Sequence, residues 1–169
     1  MGVTLHFEGR LKDDGALSRV VAKAKSFAVR EGWATTDIHD SNAVLRRVRG
    51  EQSTDYRGPA EGVVVSPHIA AEALRLEFDQ TRYVQDYIKT QFAPAEIHVK
   101  VVELLRSLES EFDSLCVFDE GEFWESSDVQ ALRRHMEAVH RVLTDVLAKN
   151  PNAHGPVRLP SGRIVDYMS

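Results

Sequence analysis

An ammonium, an imidazole and a run of carboxylates recur within one stretch of this chain. Lys89, Thr90 and Gln91 are followed by Glu96 and His98, and later by Asp119-Glu120-Gly121-Glu122-Phe123-Trp124-Glu125. Lysine holds anionic groups, histidine titrates near neutrality, and carboxylates act as acids, bases or ligands for hard cations. Reading Tyr83 to Phe92 as a strand brings these groups together. Strand, helix and the strand Leu115 to Phe118 then form a βαβ unit, and its right-handed crossover sets the two strands parallel. Their C-terminal ends share one edge, the helix N-terminus points there, and α/β sheets bind ligands beyond such ends. The candidate pocket or binding residues are Lys89, Gln91, His98, Asp119, Glu120, Glu122, Trp124 and Glu125. In the competing reading DEGEFWESSD is a solvated loop. Trp124 then covers the core, while Glu125 and Asp128 favour the positive end of the next helix.

Other chemistry is thinly represented. The chain has no G-x-x-x-x-G-K-[ST] loop, no G-x-G-x-x-G fingerprint and no G-x-S-x-G elbow. His135 and His140 lie five apart on a helix, about 140° around its axis, which is too far for one ion. His6 and Glu8 share a strand face without a third ligand at metal-site spacing, and the acidic loop lacks the EF-hand pattern. No metal and no cofactor are expected. Cys116, inside LCVF, reads as a small core residue. A single thiol allows neither an internal disulfide nor a cysteine zinc cluster, so the expected setting is reducing and cytoplasmic.

The charge is uneven. The 169 residues carry 21 Lys and Arg against 26 Asp and Glu, a net charge of −5. Glu109 to Asp128 holds eight of the acids and no base, leaving the remainder with a small positive excess. Nucleic-acid binding rests largely on phosphate neutralisation, so an acidic chain without a large basic block is not expected to bind nucleic acid. Arg46, Arg47 and Arg49 are the one tight basic cluster. They suit either a phosphate contact or a solvated strand. The start MGVTLHFEGR lacks a basic region followed by an apolar one, and no apolar run is long enough to span a bilayer, so no membrane partner is expected.

Hydrophobic periodicity supplies the scaffold. Val3, Leu5 and Phe7 alternate with Thr4, His6 and Glu8 as in a half-buried strand. Leu17, Val20, Val21, Ala24, Phe27 and Ala28 give a helix over Asp14 to Arg30, capped by Asp13 or Asp14 and stopped by Gly32. Two short extended pieces, Trp33 to His39 and Ala43 to Arg49, follow, with Asp40-Ser41-Asn42 between them as a turn or a continuation, and polar Gly50 to Pro59 reads as a loop. Gly62 to Ser66 and Leu74 to Asp79 read as strands. Tyr83 to Phe92 fits a strand or a helix face, and strand is preferred for its aromatic and β-branched content. Helical stripes return over Ala95 to Phe112 and Ser127 to Lys149, the second opening on a Ser127/Gln130 capping box. VRLPSGRIV reads as a hairpin. The expected fold is α+β, one domain over residues 1–169, with a mixed β-sheet and about three helices packed on it.

Lys89 to Phe92 (KTQF), His98 to Leu105 and Asp119 to Asp128 (DEGEFWESSD) together resemble a family of uncharacterised bacterial proteins. That family looks to share a K-T-Q-[FY] segment, an apolar helix opening with His, and D-E-G-x-[FY]-W-E. The resemblance spans roughly the second half of the chain. It implies a bacterial cytoplasmic α+β protein and carries no catalytic role.

The leading expectation is a protein-binding or interaction domain, including the toxin-neutralising kind, whose acidic loop 119–125 meets a basic protein partner. The alternative is a small enzyme. There His98 or a carboxylate of Glu120 or Glu125 would act as acid or base while Lys89 holds an anionic group, the reaction being open. A subunit of a larger assembly, contacting it through the apolar last helix, is the third. The sequence leaves the oligomeric state open.

Overall fold

Three strands build the sheet on which the rest assembles. In the computed structural model, which describes residues 2–169, β1 (Thr4–Leu11) lies between β5 (Tyr83–Lys89) and β6 (Phe112–Asp119). Both neighbours pair with it antiparallel. The inward side chains Val3, Leu5, Phe7 and Leu11 are buried, while His6 and Glu8 face outward, as the alternation requires.

Helix α1 (Ala16–Glu31) and helix α2 (Ala95–Leu108) line their apolar stripes against the same core. Val20, Ala24 and Phe27 come from the first, and Val101, Leu104, Leu105 and Leu108 from the second. Gly32, in the left-handed region at φ 73°, ends α1, and its N–H returns to the carbonyls of Ala28 and Val29. The aspartates before α1 do not cap it. Asp13 and Asp14 pair instead with Arg19 and Arg82. A short helix, α3 (Phe123–Ser126), precedes α4 (Val129–Lys149). Asp128, and not Ser127, caps α4, its carboxylate accepting from the N–H groups of Gln130 and Ala131. Only Leu132 and Val139 of α4 are buried.

The second sheet contains the largest departure from expectation. Strand β2 (Ala34–Arg49) is continuous through Asp40-Ser41-Asn42, where a register shift absorbs one extra residue. Gly50 to Pro59, expected as a loop, holds the hairpin turn and the opening of β3 (Gln52–Ser66). These residues carry no alternation because this part of the hairpin is mostly exposed on both faces. Strand β4 (Leu74–Asp79) pairs only with Ala60 to Val65, so the hairpin beyond Ala60 projects as an arm. Gly62 has φ 154°, and a Cβ there would stand 1.7 Å from the Leu76 carbonyl oxygen, so close strand approach requires glycine.

A two-stranded tail, β7 (Val157–Arg158) with β8 (Ile164–Val165), completes the α+β architecture. Every strand pairing among the described residues is antiparallel, so the expected mixed sheet is corrected. β5 and β6 do run parallel to each other. They are not neighbours, because β1 fills the space between them. One hydrophobic cluster draws Val63, Val65, Leu74 and Leu76 of the second sheet together with the first sheet and helices. No helix of the described residues is long and apolar enough to cross a membrane.

Candidate functional sites

The ends of β5 and β6 meet across β1, and His98 enters between them from the first turn of α2. Its Nδ1 lies 2.7 Å from the Thr90 hydroxyl and its Nε2 3.0 Å from Asp119 Oδ2. An ionised carboxylate only accepts, so Nε2 carries a proton towards Asp119, while Nδ1 faces the Thr90 hydroxyl, which also reaches the Val3 carbonyl. Asp119 also accepts from the N–H groups of Gly121 and Trp124. Burial pushes its carboxyl upward, yet His98 and these amides outweigh it and hold it below the ordinary carboxylate value. The order hydroxyl, imidazole, carboxylate is that of a hydrolase triad, but Thr90 and His98 have no solvent exposure at all. The cluster ties β5, α2 and β6 together at one end of the sheet.

The other candidate residues disperse around it. Lys89 Nζ and Gln91 Nε2 both donate to Asp166 Oδ1, at 2.8 and 2.7 Å, which pins the tail to the end of β5. Gln91 also accepts from the Val3 N–H. Glu120 lies 3.7 Å from His6, and Glu122 pairs with His135 at 3.0 Å. Trp124 is half-buried under the Arg106 guanidinium, 5.3 Å from the ring centroid. Glu125 is exposed. His98 and Asp119 therefore meet, Lys89 and Gln91 share a carboxylate, and the three glutamates point to separate places.

The acidic window is largely consumed by the fold. Glu111 is buried between Arg19 and Lys23, whose hydrogen bonds hold its carboxyl below the usual range. Asp119 holds His98, Asp128 caps α4, and Glu120 and Glu122 face histidines. Glu109, Asp113 and Glu125 remain exposed, with no ion-pair partner among the described residues.

Two features were not anticipated from the sequence. The first is the open edge of β6. Glu120 N–H donates to the Thr4 carbonyl, so the residues of β6 in step with Glu120, among them Cys116 and Phe118, exchange hydrogen bonds with β1. Leu115 and Val117 then direct their N–H and C=O groups away from β1, where no described strand pairs with them. Cys116, expected in the core, is exposed on the outward face, as is Phe118 at 64%. LCVF reads as doubly buried because apolar types occupy both of its faces; only one of them meets the core.

The second feature is a cleft of about 830 Å³ between this outward face and the arm. Its floor carries Tyr87, His6 and Phe118 in one cross-strand row, with ring centroids 5.7 Å and 5.9 Å from His6. Arg46, Arg47, Arg75 and Arg163 stand around it. The arm is held over the floor by Gln85, which accepts from the Val48 N–H and donates to the Val48 carbonyl. Arg47 adds bonds to Asp79 and to the carbonyls of Tyr83 and Gln85. Among the described residues no group of three or more His, Cys, Asp or Glu could hold a metal ion. No protein-family model, curated protein or solved structure matches the chain.

Proposed function

We propose that the protein is an interaction module that takes an extended, basic segment of another protein as an added strand along β6. The observation carrying this reading is the unpaired backbone edge of Leu115 and Val117. Edge strands left without a cover or a pairing partner accept such segments readily. Glu109 and Asp113 precede or open the strand and Glu125 follows it, all three exposed and without basic partners among the described residues. Their charge favours Lys and Arg in the incoming chain and speeds its encounter at low salt.

Display of random peptides against the intact protein tests this. Binders should be rich in Lys and Arg and free of central Pro, and their on-rate should fall as salt rises. Val117→Pro removes one outward N–H without breaking a bond to β1, a position where edge strands tolerate proline. It should abolish capture while leaving the far-ultraviolet circular dichroism unchanged. Binders indifferent to Val117→Pro, or a selection that returns none, would overturn strand addition.

A further inference from the structure

The cleft between the arm and the sheet touches β6 at Cys116, Val117 and Phe118 but opens over the outward face of the sheet and not along its backbone edge, and its chemistry is specific. Three carboxylates border it, and each is already engaged. Glu8 accepts from the Tyr83 hydroxyl and from Gln85, Glu77 from Arg75, and Asp86 from Arg163. Of the four guanidinium groups, Arg47, Arg75 and Arg163 have carboxylate partners, whereas Arg46 is bonded only to the neutral Ser53 hydroxyl, at 2.9 Å. The wall thus offers one uncommitted positive fork, suited to a planar or tetrahedral oxyanion.

The floor offers the complementary apolar part. Arg163 covers the Tyr87 ring, its guanidinium carbon 3.8 Å from the centroid. Phe118 keeps 64% of its surface open, beside His6. A flat ring laid there would remove aromatic surface from water and gain offset stacking. At about 830 Å³ the cleft falls in the range of roughly 300 to 1,000 Å³ typical of small-molecule sites.

We infer that this cleft binds a small aromatic anion, its ring against Phe118 and His6 and its carboxylate, sulfonate or phosphate on Arg46. A polymeric anion is disfavoured by the net charge of −5, which a single small anion feels far less.

The test is calorimetric and fluorimetric titration of the full chain with 8-anilinonaphthalene-1-sulfonate, beside its uncharged counterpart N-phenyl-1-naphthylamine. The anionic dye should bind saturably at one site per chain, about tenfold or more tighter than the neutral one, since a charge-assisted pair is worth at least that factor. Arg46→Gln should reduce the anionic dye to the affinity of the neutral one and leave the neutral dye unaffected. Phe118→Ala should weaken both. Arg57→Gln, on the same arm but not bordering the cleft, is the control and should change neither. Equal affinity for the two dyes overturns the proposal, as does binding at several sites or binding unaltered by Arg46→Gln. No binding of either dye overturns it as well. Melting curves of each variant confirm that the fold is intact before binding is read.

Discussion

His98 Nε2 lies 3.0 Å from Asp119 Oδ2, and neither side chain reaches solvent. A carboxylate so placed has exchanged water for a fixed set of donors, and losing one leaves a charge without compensation. His98→Ala should therefore cost roughly 3 kcal/mol or more, above what the lost ring packing alone explains. Urea unfolding measures it. Asp119→Asn should cost less than His98→Ala, because the amide is neutral. A His98→Ala midpoint close to wild type would show that the pair is not supporting the sheet end.

The same carboxylate sets an acid limit. Its value in the fold lies below the ordinary one, so between the two values the unfolded chain binds more protons than the folded chain. The sign follows: its stabilisation is complete above the ordinary carboxylate range and drains away as pH falls through the lowered folded value. Asp79 adds to the same loss. Burial raises its carboxyl, but Thr81, the Tyr83 N–H and Arg47 bring it below its ordinary value. Melting temperature recorded from about pH 6 down to about pH 2 should fall less steeply for Asp119→Asn than for wild type.

Tyr83 sets an alkaline limit of opposite sign. Burial and the bond to Glu8 raise its phenol to about 12. Its neutral form is thus favoured in the fold, and the stabilisation holds up to the free phenol's value of about 10. It is lost as pH climbs from there towards about 12. Ultraviolet titration of the native protein should show one phenolate appearing late, and Tyr83→Phe should remove that late step.

Glu72 shows why part of this architecture was hidden. It is 2% exposed and accepts from the N–H groups of Lys89 and Ile164 and from Arg163, joining the tail to β5. Glu72→Ala should free the tail, and trypsin should then cut after Arg158 and Arg163 well before the rest of the chain unfolds, visible by mass spectrometry. Tail cleavage at the wild-type rate would leave the anchoring to Asp166 and to the bonds made by Arg158 and Arg163.

Nothing in the periodicity around Glu72 announces it, because a buried acid surrounded by alanines carries no pattern of its own. The helices were legible for the opposite reason: α1, α2 and α4 each put apolar residues on one face at steps of three and four, and their observed limits fall close to those expected. The arm was illegible because an exposed hairpin buries neither face over most of its length, so its residues follow no alternation. The placement of β1 between β5 and β6 depends on contacts far apart in sequence, which local pattern does not encode. At the candidate site, residue type sufficed to single out His98 and Asp119. It did not single out Asp166, which arrives from the far end of the chain, or the cleft, whose lining comes from six separate segments.

The free edge of β6 makes a prediction that needs no partner. Alternate amides should behave oppositely: those of Cys116 and Phe118 donate to β1 and should exchange slowly with solvent deuterium, while those of Leu115 and Val117 should exchange quickly. Residue-resolved exchange by nuclear magnetic resonance distinguishes the two sets within one strand, where the amides expected to exchange fast belong to the more buried side chains. Adding a basic strand should slow Leu115 and Val117 and leave Cys116 and Phe118 as they were, because only the outward groups gain acceptors. Uniform protection along β6 in the free protein would mean that its edge is already paired, by a second copy of the chain. In that event the outward protection should weaken on dilution, and strand addition by another protein would have to displace that copy.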